Sequence, residues 1–219
     1  MPVRALSAMG LGLAIGGVFV PVVAWSMQTF GWRTTAFASG VLRDPANVGA
    51  VLPASRWLAR AIAREVLRTR CQMVIEIGAG TGAVTRAILA QGYPPEQLYA
   101  LERDPQFVRW LRQNLPAVGV VKACATEVDR VVRPGVATTI VSSLPFKSMA
   151  QAEAQRCASA LAAALGGSPG SRLVQYSYGF GGLPPFAAAA ELRWAKAGVV
   201  LRNVPPATVW TLQRPPADA

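Results

Sequence analysis

Apolar and polar positions along the chain predict alternating strands and helices from about residue 56 onward. Segments typical of buried strands occur at 73–77, 98–101, 118–122, 138–141, 172–177, 199–203 and 209–213. Segments with helical periodicity occur at 56–69, 83–90, 104–114 and 151–165. Short connections between alternating elements predict an α/β fold with a doubly wound, mostly parallel sheet. Too few residues separate the last two strands for a helical crossover, so the last strand should be antiparallel.

The N-terminal segment, residues 1–26, contains an apolar stretch from Ala5 to Trp25 without a charged side chain, long enough to span a bilayer as a helix. Three interpretations stay open: a transmembrane anchor, a signal peptide, or an extension that precedes a true start at Met27. The remaining chain divides into a membrane-interface helix at 27–44, a globular domain at 45–214 and a tail at 215–219.

Residues 28–42 predict a short helix in which aromatic side chains stand next to arginine. A helix of this composition either lies in a membrane interface or docks on the domain. The side chains expected to contact membrane or substrate are Phe30, Trp32, Arg33 and Phe37.

The helix predicted at 56–69 carries two rows of side chains, each with a spacing of four residues. The apolar row is Leu58, Ile62 and Val66, and the basic row is Arg56, Arg60, Arg64 and Arg68. An offset of two positions is about 200° around a helix, so the rows should lie on opposite faces. The basic row is either a solvated face relieved by Glu65 or a surface that faces an anionic partner.

Charge and composition narrow the possible chemistry. The 219 residues include 22 Lys and Arg against 11 Asp and Glu, which favours polyanionic partners such as nucleic acid or an anionic membrane. Hydrophobic residues make up 52% of the chain, which raises the expectation of membrane contact. The three scattered cysteines argue against a zinc site or disulfide framework, and the absence of histidine removes the commonest general base.

The strongest chemical signal is a glycine loop between the strand at 73–77 and the helix at 83–90. Gly78, Gly80 and Gly82 allow a sharp turn in which the backbone can approach a ligand closely. Glu76 precedes the loop, and a carboxylate there repels a pyrophosphate but attracts the cationic amino-acid end of S-adenosylmethionine. Glu102 ends the next strand, where an acid can accept hydrogen bonds from ribose hydroxyls. The combination indicates a site for S-adenosylmethionine.

These motifs resemble a known family. The run Glu76-Ile-Gly-Ala-Gly-Thr-Gly82 followed by Leu101-Glu-Arg-Asp-Pro105 resembles class I S-adenosylmethionine-dependent methyltransferases. Further segments are similar to bacterial phospholipid N-methyltransferases, which convert phosphatidylethanolamine to phosphatidylcholine. Those segments are 45–55, Ser143-Leu-Pro-Phe-Lys-Ser-Met149, 175–179 and 201–210. The resemblance covers residues 28–214.

The resemblance implies roles for particular residues, and it implies that the reaction needs no metal. The cofactor would be held by Ser55, Glu76, Gly78, Gly80, Thr81, Gly82, Glu102, Ala125 and Thr126. The methyl-transfer pocket would be lined by Ser143, Leu144 and Pro145, with Tyr178 beside the headgroup and Arg202 near its phosphate. Tyr178 could equally be a strand aromatic. The implied setting is the cytoplasmic face of a bacterial inner membrane, peripheral or single-pass anchored, with anionic lipids as partners and a monomeric chain.

One departure from the family pattern and two rival functions accompany this interpretation. Cys124-Ala125 occupies the place where many relatives carry an aspartate for adenine, so adenine contact must rest on the backbone, Thr126 or Glu127.

An rRNA adenine dimethyltransferase would share the loop, but that family uses Asn-Leu-Pro-Tyr to grip a flipped adenine. Ser143 and Phe146 replace its asparagine and tyrosine, so no nucleic-acid partner is expected. The second rival is an inactive cofactor-binding module.

Overall fold

The structure, a computed structural model, describes residues 54–68, 71–179 and 184–215. Its strands are β1 (Met73–Ile77), β2 (Leu98–Glu102), β3 (Gly119–Lys122), β4 (Thr138–Ser142), β5 (Arg172–Tyr178), β6 (Arg193–Val200) and β7 (Ala207–Gln213). Its α-helices are α1 (Arg56–Leu67), α2 (Ala83–Leu89), α3 (Pro105–Asn114) and α4 (Gln151–Gly166), and 3₁₀ helices occupy Pro95–Gln97 and Ala125–Arg130. The predictions for 1–26 and 27–44 lie outside the described residues.

The described strands form one sheet in the order β3-β2-β1-β4-β5-β7-β6. The pairs β3-β2, β2-β1, β1-β4 and β4-β5 are parallel, whereas β7 runs antiparallel to both β5 and β6. The predicted doubly wound, mostly parallel sheet with an antiparallel last strand is therefore confirmed. The order reverses direction between β1 and β4, where ligands bind in sheets of this kind.

The sixth strand differs from its prediction. The sequence placed it at 199–203, but β6 covers Arg193–Val200, and residues 201–206 form the turn into β7. The strand is at the sheet edge, and Arg193, Ala195 and Lys196 are exposed. Because an edge strand gains its hydrogen bonds from only one neighbour and keeps polar side chains in water, it lacks the apolar run that marks an interior strand.

Helices cover both faces of the sheet. Side chains from α1, α2 and α3 pack on one face, and α4 packs on the other. Ser55 caps α1, since its Oγ accepts a hydrogen bond from Leu58 N at 3.3 Å. The apolar row of α1 is fully buried, whereas Arg56, Arg60, Arg64 and Arg68 are exposed, so the predicted two-faced helix is confirmed.

A buried ion pair joins the end of α1 to the start of β5. Arg172, only 5% exposed, donates from Nη1 to Glu65 Oε1 at 3.1 Å and from Nη2 to the Glu65 carbonyl. Arg68, on the exposed side, approaches Glu65 Oε2 at 3.3 Å. Glu65 thus pairs mainly with a residue distant in sequence.

In the part of the chain that the structure describes, no helix has the length and apolarity that a membrane crossing needs.

Candidate active site

The loop between β1 and α2 is built from glycines in the left-handed region of backbone space. Gly78, Gly80 and Gly82 have φ values of 72°, 53° and 73°. A Cβ at Gly82 would lie 2.9 Å from Leu111 Cδ2, so this glycine permits close packing of α2 on α3. A Cβ at Gly80 would meet nothing within 4 Å, so the loop leaves open space there. Residues with a side chain rarely adopt these positive φ values, which explains why glycine occupies all three positions.

Glu102 connects the loop to the carboxyl end of β2. Its Oε2 accepts a hydrogen bond from Gly80 N at 2.8 Å, and its Oε1 accepts one from Asp104 N at 2.9 Å. The residue is 7% exposed. Each carboxylate oxygen can accept more than one hydrogen bond, so acceptor capacity remains for a ligand's hydroxyl groups.

Glu76 is the most deeply buried acid of the site. It is 1% exposed, and Thr85 Oγ1 donates a hydrogen bond to its Oε2 at 2.5 Å. Burial raises the pKa of Glu76 from 4.5 to about 7, although the hydrogen bond from Thr85 and the charge of Arg86 oppose the change. The carboxyl group is therefore close to half-protonated at neutral pH, and a cation brought beside it would favour its ionised form.

A cavity of about 420 Å³ opens at the carboxyl ends of β1, β2 and β4. It brings together six of the residues singled out in the sequence: Gly78, Glu102, Ala125, Ser143, Leu144 and Pro145. The volume is within the range of small-molecule sites. A more open depression near Thr126 and Arg156 contains neither the glycine loop nor Glu102.

Other predicted residues lie outside the lining of this cavity. Ser55 serves as the α1 cap, and the Thr81 carbonyl accepts a hydrogen bond from Arg86 at 2.7 Å. Thr126 is exposed on the more open depression. The guanidinium of Arg202 stacks over the Trp57 ring, 4.8 Å from its centroid. Ser55, Thr126 and Arg202 thus make local contacts, and their predicted ligand contacts stay predictions. Phe30, Trp32, Arg33 and Phe37 lie outside the described residues.

Sequence reasoning missed several residues that line the cavity: Arg103, Cys124, Ser148, Met149, Glu153 and Cys157. Arg103 and Glu153 form an exposed ion pair with 3.1 Å between Nη1 and Oε1, which joins the end of β2 to α4. Cys124 accepts a hydrogen bond from Thr126, which lowers the pKa of its thiol. Arg103, Ser148 and Met149 stand within recognised motifs and Cys124 stands at a noted departure, whereas Glu153 and Cys157 on α4 carried no usable signal.

Two tyrosines, Tyr176 and Tyr178, lie at the carboxyl end of β5. The rings of Tyr176 and Tyr178 meet edge to face, with 5.8 Å between centroids, and Tyr176 is hydrogen-bonded to Ser143. Burial raises the pKa of both phenols above the usual value. Both side chains are therefore neutral at physiological pH. Tyr176 was not predicted as a site residue, although residues two apart on a strand share a face and Tyr176 therefore lies on the same face as Tyr178.

Gln175 lies under the segment that lines the cavity. Its Nε2 donates to the carbonyls of Leu144 and Tyr176, each at 3.0 Å, and the side chain is 1% exposed. Two carbonyl acceptors fix the orientation of the amide, because its own oxygen could not face them. Gln175 therefore holds the Leu144 carbonyl in place.

Phe146, which follows the segment Ser143-Leu144-Pro145, is packed into the core. It is 7% exposed, and its ring packs on Phe186 with 4.7 Å between centroids, below the segment that lines the cavity. The aromatic position that an adenine methyltransferase would use is thus part of the core.

Comparison with known proteins agrees with the fold. The structure is similar to TrmN from Thermus thermophilus, with a TM-score of 0.54 and 20% identity over 82% of this chain and 52% of that one. It is also similar to a TehB-like S-adenosylmethionine-dependent methyltransferase from Corynebacterium glutamicum, with a TM-score of 0.51 and 14% identity over 82% of this chain and 98% of that one. The fold is that of the class I methyltransferases. No protein-family model matches the chain.

Two curated relatives cover part of the chain. An ornithine lipid N-methyltransferase from Singulisphaera acidiphila is 33% identical over 107 residues, which are 46% of this chain and 56% of that protein. The mycinamicin-resistance protein MyrB from Micromonospora griseorubida is 37% identical over 92 residues, which are 42% of this chain and 28% of that protein. The chain therefore spans about half or less of the length of these relatives.

The residues present fit the predicted cofactor, S-adenosylmethionine. The open space at Gly80 and the adjoining cavity would admit a ligand against the loop backbone. Glu102 offers acceptors for a sugar, and Glu76 supplies a carboxyl group whose ionisation a cationic ligand would promote. Among the described residues, no cluster of side chains could hold a metal ion.

Glu102→Ala is expected to raise the Kd for S-adenosylmethionine by about 10- to 100-fold, because hydrogen bonds to a charged acceptor contribute about 1.5–3 kcal/mol. Isothermal titration calorimetry on the folded variant measures this change. Glu96→Ala is the control, because Glu96 is exposed in the 3₁₀ helix Pro95–Gln97 and is not part of the cavity lining. An unchanged Kd in Glu102→Ala would refute the assignment to the ribose.

Proposed function

We propose that this chain is an S-adenosylmethionine-dependent N-methyltransferase that acts on the primary amine of a membrane lipid headgroup. The observation that carries the proposal is the cavity that Gly78 of the glycine loop, Glu102 and the segment Ser143-Leu144-Pro145 line together. The similarity to an ornithine lipid N-methyltransferase supports a lipid amine as the acceptor. Phosphatidylethanolamine is the acceptor that the sequence resemblance favours, and both lipids present a primary amine.

In this proposal the chain mainly binds and aligns its two substrates. S-adenosylmethionine supplies an electrophilic methyl group on a sulfonium. Glu76 attracts the cationic end of the cofactor, Glu102 accepts from its sugar, and Ser143 to Pro145 orient the incoming amine. Holding two reactants in line lowers the barrier through proximity, so no further catalytic group is required for the transfer itself.

The amine must lose a proton before it can attack. Burial raises the pKa of Tyr176 and Tyr178, so both phenols keep their protons at physiological pH. A neutral phenol accepts a proton poorly, so these side chains serve to orient the headgroup. Water removes the proton, because the Leu144 carbonyl already accepts hydrogen bonds from Gln175 Nε2 and Phe146 N, each at 3.0 Å, and both of its lone pairs are used.

Gln175→Leu is expected to lower kcat about tenfold or more while changing the Kd for S-adenosylmethionine less than about twofold, because misplacement of an orienting group costs rate. Single-turnover methylation and calorimetry measure the two quantities. Gln113→Leu on the exposed surface of α3 controls for loss of an amide. A loss of thermal stability with kcat unchanged would assign Gln175 a purely structural role.

A labelled-methyl assay tests the proposed function. The purified full chain is incubated with S-adenosyl[methyl-³H]methionine and, separately, with phosphatidylethanolamine vesicles, ornithine lipid vesicles or ribosomal RNA. Label in either lipid supports the proposal and identifies the acceptor. Label in RNA would favour the adenine methyltransferase alternative, and no label with normal cofactor binding would favour the inactive module.

The setting that accompanies the proposal is the cytoplasmic face of a membrane. The formal charge of +11 favours attraction to anionic lipids. Cofactor and membrane would then meet at the same edge of the sheet. Sedimentation of the activity with membranes from cells expressing the full chain tests this setting.

A further inference from the structure

The turn between β6 and β7 presents aliphatic side chains to solvent. Leu201 is 66% exposed and Val204 is 56% exposed, more than any other large aliphatic side chain in the described ranges. The turn itself is well held, because Asn203 is 3% exposed and donates from Nδ2 to the Pro205 carbonyl at 2.6 Å. A fixed turn therefore exposes two apolar side chains to solvent.

Beside this turn, three arginines gather around one indole. The guanidinium carbons of Arg56, Arg60 and Arg202 lie 4.7, 5.9 and 4.8 Å from the centre of the Trp57 ring. None of the three takes part in a salt bridge among the described residues. The Trp57 patch, as we define it, consists of these arginines and their neighbours: Arg56, Trp57, Arg60, Leu201, Arg202 and Val204.

The Trp57 patch lies at the same sheet edge as the candidate active site. Strand β6 runs parallel to β5, so the turn that follows β6 is at the carboxyl edge of β1, β4 and β5. The turn is fastened to the end of β5, because Gly179 N donates to the Pro206 carbonyl at 2.7 Å, directly after Tyr178. A surface that docks on the patch would therefore face the end of β5 where the tyrosines lie.

We propose that the Trp57 patch is a docking surface for an anionic lipid bilayer. The arginines bind lipid phosphates, Trp57 lies at headgroup depth, and Leu201 and Val204 insert below the phosphates. A membrane fits better than RNA because the two aliphatic side chains gain free energy only where they leave water. Presentation of an amine headgroup to the cavity rests on the proposed function, whereas binding of the bilayer by the patch does not.

Leu201→Ser combined with Val204→Ser tests the apolar part of the patch. The full chain is mixed with vesicles of phosphatidylglycerol and phosphatidylcholine at physiological salt, and binding is measured by flotation. The double variant should bind at least about tenfold more weakly, since two apolar side chains no longer leave water. Its methylation of detergent-dispersed lipid should stay within about twofold of the unsubstituted chain, because neither residue lines the cavity.

A charge variant with a matched control tests the arginines. Arg56→Ala, Arg60→Ala and Arg202→Ala together should weaken binding to these vesicles about 100-fold, since each basic residue near an anionic surface contributes about fivefold. The control removes three exposed cations elsewhere, by Arg109→Ala, Arg156→Ala and Lys196→Ala. It should weaken binding less than about threefold, because salt screens distant charges. Equal losses in both triple variants would overturn the proposal.

Amide hydrogen exchange separates the patch from the N-terminal segments predicted to contact membrane. Exchange at residues 201–204 should slow when anionic vesicles are added, and unchanged exchange there would overturn the proposal. If single-stranded RNA slows exchange at 201–204 and vesicles do not, the patch binds RNA instead. Protection by vesicles without any methylation of lipid would refute the proposed function alone, and methylation without protection would refute the docking surface alone.

Discussion

Glu76→Gln should stabilise the protein in the absence of cofactor. The folded protein holds the proton of Glu76 more tightly than the unfolded chain does, because burial raises the pKa from 4.5 to about 7. The free energy of unfolding therefore falls as pH rises from about 4.5 to about 7 and stays low above that range. A neutral amide avoids this loss. At pH 8 the variant should be more stable by up to roughly 3 kcal/mol, and its stability should vary less between pH 5 and 7.

The same substitution should weaken cofactor binding. A glutamine cannot attract the cationic end of S-adenosylmethionine, so the Kd should rise about 10- to 100-fold. In the unsubstituted protein, binding should release a proton near pH 7, because a cation beside Glu76 favours its ionised form. Calorimetry in buffers of different ionisation enthalpy measures that release, and it should be absent from the variant.

Glu96→Gln is the control for both effects, because Glu96 is exposed in the 3₁₀ helix Pro95–Gln97. Its unfolding curves and its Kd should match those of the unsubstituted chain. If Glu76→Gln destabilises the protein at pH 8, the carboxylate has a stabilising partner that outweighs its burial. If the Kd is unchanged, Glu76 shapes the loop through Thr85 and does not contact the cofactor.

Arg172→Met should destabilise the protein by about 3 kcal/mol or more. The substitution leaves the buried carboxyl group of Glu65 without its main partner and removes a hydrogen bond to the Glu65 carbonyl. Breaking one side of a buried ion pair typically costs about 3–5 kcal/mol because the remaining charge stays in an apolar environment. Guanidinium unfolding monitored by tryptophan fluorescence measures the change.

Arg68→Met is the matched control, because Arg68 pairs with the same carboxylate from the exposed side. An exposed pair contributes about 0–1 kcal/mol, so this variant should unfold close to the unsubstituted chain. Glu65→Leu combined with Arg172→Met should recover much of the lost stability, since no buried charge is then left alone. Equal losses for Arg68→Met and Arg172→Met would contradict the assignment of the buried pair as the stronger one.

The residues of the candidate site were predictable to different degrees. The glycine loop and Glu102 could be recognised because they are contiguous with strands whose apolar runs are plain in the sequence. Cys157 and Glu153 line the same cavity but lie on α4, about 80 residues from the loop in a helix rich in alanine. Tyr176 and Gln175 acquire their roles from contacts with Ser143 and Leu144, in the segment that follows β4. No local pattern encodes such contacts.

By itself the sequence determined the order of helices and strands, the antiparallel last strand and the turn that Gly78, Gly80 and Gly82 make possible. These features depend on backbone preferences and on apolar periodicity, which neighbouring residues carry. Only the tertiary structure decided the extent of β6, the burial that raises the pKa of Glu76, and the position of Arg202 on Trp57. Those features arise where segments distant in the chain pack together, and their free energies depend on neighbours that the local sequence does not specify.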